Sequence, residues 1–232
     1  MSKKVSIILS TFNEAKTIEN TINNIFSELD NVEIVLVDDN SQDGTLDIIS
    51  QIRNENLKIY SRKSRGLASA FLLGMINSSG EYIGWLDSNM PDLVLRLKEM
   101  KKNLDEYDLS LLSRYVEGGG DQRSKMRILS SQIINLFCRL ILGGQIRDYT
   151  SSIFLMKRDL LKLAVPIAYG HGEFFIEFLY KLKKQKIKIK EIPYVQPPDI
   201  EGTSKTASSL FRFVSLGFDY LIRIILIRFR KN

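Results

Sequence analysis

One cysteine and one histidine in 232 residues narrow the available chemistry at once. The lone cysteine, Cys138, excludes an internal disulfide and a cysteine-based zinc site, and its place in an apolar helical run marks a buried thiol. The lone histidine, His171, lies between two glycines and reads as a loop residue, which leaves no multi-histidine metal site and no histidine-dependent hydrolysis. No glycine follows the first apolar run, because the turn there is Ser10-Thr11-Phe12-Asn13-Glu14. The G-x-G-x-x-G approach to a pyrophosphate is therefore missing, and hydride chemistry on a dinucleotide goes with it. There is no P-loop, no G-x-S-x-G, no internal repeat and no low-complexity tract. Nor is there an apolar run of about 20 residues, the length that spans a bilayer. Phe213 to Phe229 comes nearest and is broken by Asp219, Arg223 and Arg228. The opening MSKK, followed at once by VSIILS, is too short for a signal-peptide core, so a cytoplasmic protein is expected.

What is present begins with a charge surplus. A net charge of +6 and a pI near 9.3 point to an anionic partner: nucleic acid, phospholipid headgroups or a phosphorylated substrate. Nucleic acid fits least, since the basic residues lack an interleaved aromatic stripe. The first ninety residues alternate between strand and helix patterns. Strands are predicted at Val5–Leu9, Ile34–Val37, Leu57–Tyr60 and Tyr82–Leu86, and helices at Glu14–Leu29, Leu46–Ile52 and Gly66–Ile76. That order argues an α/β fold, a mostly parallel sheet flanked by helices. Further on, helices are predicted at Leu93–Leu104, Ile128–Leu142 and Glu173–Lys184, and strands at Leu109–Leu112 and Ile153–Met156. Lys186–Ile192 alternates Lys with Ile as an edge strand would. Glu117–Asp121 reads as a glycine-rich loop, mobile or ordered by a ligand.

Three strand ends carry acidic or amide groups: Asn13-Glu14, Asp38-Asp39 and Asp87-Ser88-Asn89. In open α/β sheets ligands gather at that end, so neighbouring strands would bring these loops to one crevice. Asp38 and Asp39 can accept hydrogen bonds from a nucleobase or ribose, or help to hold a cation. Asp43 and Thr45 read instead as the start of the following helix. Asp87 and Asn89 can offer two oxygen ligands to Mg2+ or Mn2+, with phosphates completing the shell. A second set is basic (Arg114, Arg123, Lys125, Arg127, Arg147 and Lys205) and suits phosphate.

STFNE, VDDNSQDGT, RGLASAFLLG, LDSN, SRY-EGG, the Asp148-Tyr149-Thr150-Ser151 segment, EIP and GTSK occur in that order over roughly residues 5 to 205. The ordered set resembles the dolichol- or polyprenol-phosphate mannose synthases, inverting family 2 glycosyltransferases with a GT-A fold. The resemblance implies a metal-dependent enzyme moving a hexose, mannose favoured, from a GDP- or UDP-linked donor to a polyprenyl phosphate on the cytoplasmic membrane face. It places Ser10, Phe12, Glu14, Val37, Asp39, Asp87 and Ser88 at the donor, and Asp87 with Asn89 at Mg2+ or Mn2+. It places Arg114, Arg127, Ser131 and Lys205 near the diphosphate and the acceptor phosphate, with Asp87, Arg114 and Arg127 as the catalytic set. Asn89 stands where the family has a second metal-binding aspartate, keeping an oxygen and losing a charge, so weaker metal binding is expected. Asp199 stands where the family has arginine, Ser10 where it has proline, and Ile153-Phe154 where it has Phe-Arg.

The organisation expected is a GT-A unit over 1–206, with a nucleotide-sugar half at 1–90 and an acceptor half at 91–206, then a C-terminal amphipathic helix over 207–232. That tail mixes Phe, Leu and Ile with Arg212, Arg223, Arg228, Arg230 and Lys231, and is expected to lie on a membrane surface, with Ile128–Leu142 able to join it. Packing on the chain's own core or on a partner, a small membrane subunit or a second copy, is the other reading. Two rival functions stay open: transfer to a non-lipid acceptor, and a catalytically silent nucleotide-sugar-binding subunit.

Overall fold

A strand covered on both faces must be apolar at nearly every position, and the first two apolar runs become such strands. The computed structural model describes residues 3–170, 172–198 and 210–230. Strands β1 (Val5–Thr11), β2 (Val32–Asp38), β3 (Leu57–Ser61) and β4 (Tyr82–Asp87) are linked by helices α1 (Ile18–Glu28), α2 (Thr45–Gln51) and α3 (Leu67–Ile76). A 3₁₀ segment, Pro91–Arg96, runs into α4 (Leu97–Asn103), followed by β5 (Leu109–Ser113), β6 (Gly120–Asp121) and α5 (Lys125–Leu142). Then come β7 (Phe154–Lys157), a 3₁₀ turn at Arg158–Lys162, α6 (Glu173–Lys184), β8 (Ile189–Pro193), β9 (Val195–Gln196) and α7 (Leu210–Phe229).

The main sheet has the order β3-β2-β1-β4-β7-β5-β8. All neighbours are parallel except β7, which is antiparallel to both β4 and β5. The expected α/β fold with a mostly parallel, helix-flanked sheet is thus borne out. The chain moves outward from β1 to β3, then α3 carries it back to β4 on the far side of β1. The strand order reverses between β1 and β4, which is where such sheets open a crevice.

Alternation along the strands feeds two cores. Ile7, Leu9, Ile34 and Leu36 meet Ile18, Ile22 and Ile25 of α1 and Leu97 and Met100 of α4. Ile8, Ile83, Trp85 and Phe154 meet Phe71 of α3, Cys138 of α5, Phe174, Phe175 and Phe178 of α6, and Ile224 and Ile227 of α7. The Phe71 ring stands edge-on to Trp85 with centroids 4.6 Å apart, and Phe154 stacks on Phe175 at 5.0 Å. Cys138 is buried, as expected. Gly84 sits where a Cβ would come within 2.7 Å of Ile7 Cδ1 and 2.9 Å of Leu155 Cδ1. Gly84→Val is expected to destabilise the protein by about 2 kcal/mol or more through overpacking, read as a lowered denaturation midpoint.

Three expectations change. Helix α1 starts at Ile18 rather than Glu14, because the amides of Glu14 and Ala15 are taken by Thr45 Oγ1 and Asp43 Oδ2, which hold the chain in a turn. The stretch 93–104 opens as a 3₁₀ segment behind Pro91 before it becomes α4. The glycine-rich loop is ordered by the protein itself: Gly120 and Asp121 pair with Val195 and Gln196, and the amide of Gly120 donates to the carbonyl of Tyr194 at 3.0 Å. Of the alternating Lys/Ile segment, the later part forms the edge strand, β8, from Ile189 to Pro193, while Lys186 before it has φ 58°.

Candidate active site

The crevice floor is set by register. Ser10 at the end of β1 lies between Val37 of β2 and Asp87 of β4. Ser88 Oγ donates to the Ser10 carbonyl at 2.9 Å, and Thr21 Oγ1 donates to the Ser88 carbonyl at 2.9 Å, so the turn carrying Asp87 and Asn89 is tied to β1 and α1. Asn13 has φ 58°, a left-handed conformation an asparagine tolerates. Its amide donates to Ser41 Oγ and its Oδ1 accepts from the Gln42 amide, lacing the loops after β1 and β2 together. Asp43 accepts from the Thr45 amide at the start of α2, as expected.

Asp38 and Asp39 part company here. Asp38 is fully buried and accepts from Thr11 Oγ1 at 2.9 Å and from the Ser41 amide at 2.9 Å, so it fastens the loop and does not face a ligand. Asp39 turns the other way and accepts from Arg62 Nη2 at 3.1 Å and from the Gly66 amide at 2.8 Å. Arg62 also donates to Ser69 Oγ and the Gly66 carbonyl, so it pins the segment after β3 beside Asp39. From the same segment, the Arg65 guanidinium lies 3.5 Å over the Phe12 ring. Neither arginine was singled out from the sequence; the clue available was Arg65-Gly66 just ahead of a helix.

Asp87 is the electrostatic centre. Burial, and after it the negative charge of Glu14, push its carboxyl up to about 6, against the pull of Arg114 and Arg123. That set names the groups sharing the crevice: two carboxylates, Asp87 and Glu14, and two guanidiniums. Beside them, Asn89 Oδ1 is buried without a hydrogen-bond partner. A carboxylate that resists ionising and an unpaired amide oxygen two residues on are what a hard divalent cation would relieve. Asp87 and Asn89 therefore fit Mg2+ or Mn2+. Among the described residues no group of three or more His, Cys, Asp or Glu side chains is placed to hold a metal ion by itself. The contrast is Glu33 at the opposite end of β2. It is buried too, but Ser6, the Ser79 amide, Lys58 and Lys4 overcome the burial and hold its carboxyl well below the usual carboxylate range.

The basic wall is tightly built. Arg114, directly after β5, is 5% exposed. Its Nε and Nη2 donate to the two oxygens of Asp148, each at 2.8 Å, and Nη2 also donates to Thr150 Oγ1 at 2.7 Å. Burial works against its charge, yet Asp148 outweighs that and holds the guanidinium above its ordinary value. Arg114 Nη1 remains 3.5 Å from Asp121, whose carboxylate also accepts from Arg123 Nε at 2.9 Å. Arg123 Nη2 in turn donates to Ser131 Oγ at 3.0 Å. Arg127, half-buried, lies one helical turn before Ser131 on α5 and so shares its face. Asn135 braces the wall from below, donating to Thr150 Oγ1 and accepting from the Tyr149 amide. The Tyr115 hydroxyl is buried without a partner beside these groups.

The structure thus gathers Ser10, Phe12, Glu14, Asp39, Asp87, Ser88, Asn89, Arg114 and Ser131 around one end of the sheet, with Val37 buried beneath. The Arg147 side chain is exposed, and its amide serves Glu191 instead. Lys205, Asp199 and His171 lie outside the described residues. Asp148 and Asp121 were missed as partners of the arginines, although a buried arginine must find a carboxylate.

The chain matches the model of glycosyl transferase family 2 over residues 6–163. It is 30% identical over 214 residues to a dolichol-phosphate mannosyltransferase from Pyrococcus furiosus, covering 87% of this chain but 59% of that protein. It is 26% identical over 226 residues to the dolichol-phosphate mannosyltransferase of Saccharomyces cerevisiae, covering 90% of this chain and 84% of that one. Its fold matches the crystal structure of glucosyl-3-phosphoglycerate synthase from Mycobacterium tuberculosis, in complex with Mn2+, UDP and phosphoglyceric acid, with a TM-score of 0.73 at 17% identity, over 99% of this chain and 80% of that one. The fold is the GT-A fold expected from the sequence, and with a family match across most of its length the chain belongs to glycosyl transferase family 2.

Proposed function

We propose that this chain transfers a hexose, mannose first among candidates, from a nucleoside-diphosphate sugar to a polyprenyl phosphate at a membrane surface, with inversion at the anomeric carbon. The observation that carries the reading is the juxtaposition of Asp87 and the orphaned Asn89 oxygen with the Arg114–Arg123–Ser131 wall. One side suits a diphosphate and its cation; the other suits a second phosphate. The two mannosyltransferase relatives support the sugar and the lipid class. Asp87 and Asn89 would hold a Mg2+ or Mn2+, which would supply positive charge beside the donor diphosphate.

The chain's own residues do the rest by positioning. An acceptor phosphate is already anionic, so one of its oxygens attacks the anomeric carbon without a general base. The bond from that carbon to the donor diphosphate breaks, and its electron pair leaves with the nucleoside diphosphate. Arg127, Ser131 and Arg114 orient the incoming phosphate. Ser10, Glu14, Val37, Asp39 and Ser88 hold the nucleotide, with Phe12 as the base platform once Arg65 swings aside. Phe12→Ala is expected to weaken nucleotide binding roughly tenfold with little change in melting temperature, measured by isothermal titration.

Membrane association rests on two exposed apolar faces. Leu129, Ile133, Leu136 and Leu140 project from α5, and Ile222, Ile225, Leu226 and Phe229 from α7, which packs against α5. Among the described residues no helix is long and apolar enough to cross a membrane. The decisive test pairs thermal stabilisation by GDP- and UDP-sugars, with and without Mn2+, with a transfer assay on polyprenyl phosphate. A Mn2+-dependent shift with one donor and sugar transfer to the lipid is the expected result. Transfer only to soluble phosphorylated acceptors would replace the lipid, and nucleotide binding without turnover would make the chain a silent subunit.

A further inference from the structure

Away from the crevice, an open cleft of about 380 Å³ beside α6 and α7 is lined by Glu177, Arg223, Leu226, Ile227, Phe229 and Arg230. Glu177 is 2% exposed, yet it is the only carboxylate in that lining and it meets three cations. Lys181 Nζ lies 2.9 Å and Arg230 Nη1 3.1 Å from its Oε1, while Arg223 Nη2 stays 3.7 Å from Oε2. Arg223 also spreads over the Tyr169 ring at 5.5 Å. Among the described residues one carboxylate meets three cations there, so their side chains carry more positive than negative charge. Guanidinium forks are suited to phosphate oxygens, and the remaining wall is aliphatic and aromatic, with Leu226 and Phe229 61% and 77% exposed. A phosphate carried on a greasy body satisfies both halves at once.

We propose that this α6–α7 pocket is a second anion site, separate from the transfer crevice, that binds the phosphate of a phosphate ester through Arg223 and Arg230, with Lys181 held beside them by Glu177. Two sources share that chemistry: the headgroup of an anionic lipid and a soluble phosphate ester. The lipid source rests on the membrane-facing reading of α5 and α7. Glu177 keeps the three cations together when the pocket is empty and competes with the phosphate when it is filled. A purely structural role, stapling α7 to α6, predicts the opposite response to loss of that carboxylate.

The test uses the full chain without any donor, so failure of sugar transfer does not enter. One arm measures binding to phosphatidylcholine vesicles with and without phosphatidic acid; the other measures thermal stabilisation by glycerol 3-phosphate. Arg223→Gln/Arg230→Gln should weaken binding to the phosphatidic acid vesicles roughly 30-fold. Arg53→Gln/Lys98→Gln, which removes the same charge from other elements, should change it far less. Glu177→Gln should tighten phosphate binding roughly two- to fivefold, even if it lowers the melting temperature of the unliganded protein. Response in the vesicle arm alone assigns the site to lipid headgroups; response in both assigns it to phosphate esters generally. If both double variants behave alike in both arms, or Glu177→Gln weakens binding, the cluster is a staple and the proposal fails.

Discussion

Asp87→Asn is expected to cut kcat/KM for sugar transfer by at least about 10³-fold while making the metal-free protein more stable. Both effects come from one carboxylate. In the unfolded chain its pKa is near the ordinary aspartate value of 3.8, and in the folded protein burial and Glu14 raise it to about 6. Between those values the folded state holds more protons than the unfolded one, so stability falls as pH rises from about 4 to about 6, and the loss stands in full above that. Asparagine carries no such penalty. Because the carboxylate is partly exposed and screened, the gain at neutral pH is on the order of 1–2 kcal/mol, a rise of a few degrees in melting temperature. Melting curves from pH 4 to 8 check this: the two proteins should converge near pH 4 and separate above pH 6. Mn2+ with nucleotide should stabilise the wild type and leave the variant unmoved. A variant that keeps its transfer rate, or a melting difference independent of pH, would remove Asp87 from the centre of the site.

That prediction was half readable from the sequence, and the split has a physical cause. A β-branched run ending in a carboxylate is a local signal, so Asp39 and Asp87 could be placed at strand ends before any fold was seen. So could the α/β alternation and the edge position of β8, since charge alternating with isoleucine is written within a few residues. What each carboxylate faces is not local. Asp38 and Asp39 are adjacent and chemically identical, and only the pleat decides that one fastens a loop while the other turns to Arg62. The reversed direction of β7 depends on its neighbours β4 and β5, about seventy and forty residues away in the chain. The glycine-rich loop looked unsupported because its partners, Val195 and Gln196, come much later in the chain. Asp148 was visible as a motif, but its pairing with Arg114 crosses the whole of α5.

That pairing supports the second large effect. Asp148→Asn is expected to destabilise the protein by about 3–5 kcal/mol, because it leaves a buried guanidinium without its counter-charge. For a chain of this size that lowers the melting temperature by on the order of 10 °C. Asp148 has no exposed surface, and besides the two Arg114 side-chain bonds it accepts from the Arg114 amide at 3.0 Å and the Thr150 amide at 3.1 Å. Its loss therefore slackens the turn that aims Arg114, Thr150 and Asn135 together. Arg114→Lys should not restore the arrangement, since an ammonium cannot bridge both carboxylate oxygens in a plane. Removing both charges is the discriminating case. Arg114→Met with Asp148→Leu should recover a substantial part of the stability lost in either single variant, because the desolvation cost of two buried ions disappears with their attraction. Transfer activity should stay low in that double variant, since the positive charge of Arg114 is gone while the packing around it has returned. A double variant as unstable as the sum of the singles would instead mean that the backbone bonds to Asp148, and not the buried ion pair, hold this wall in place.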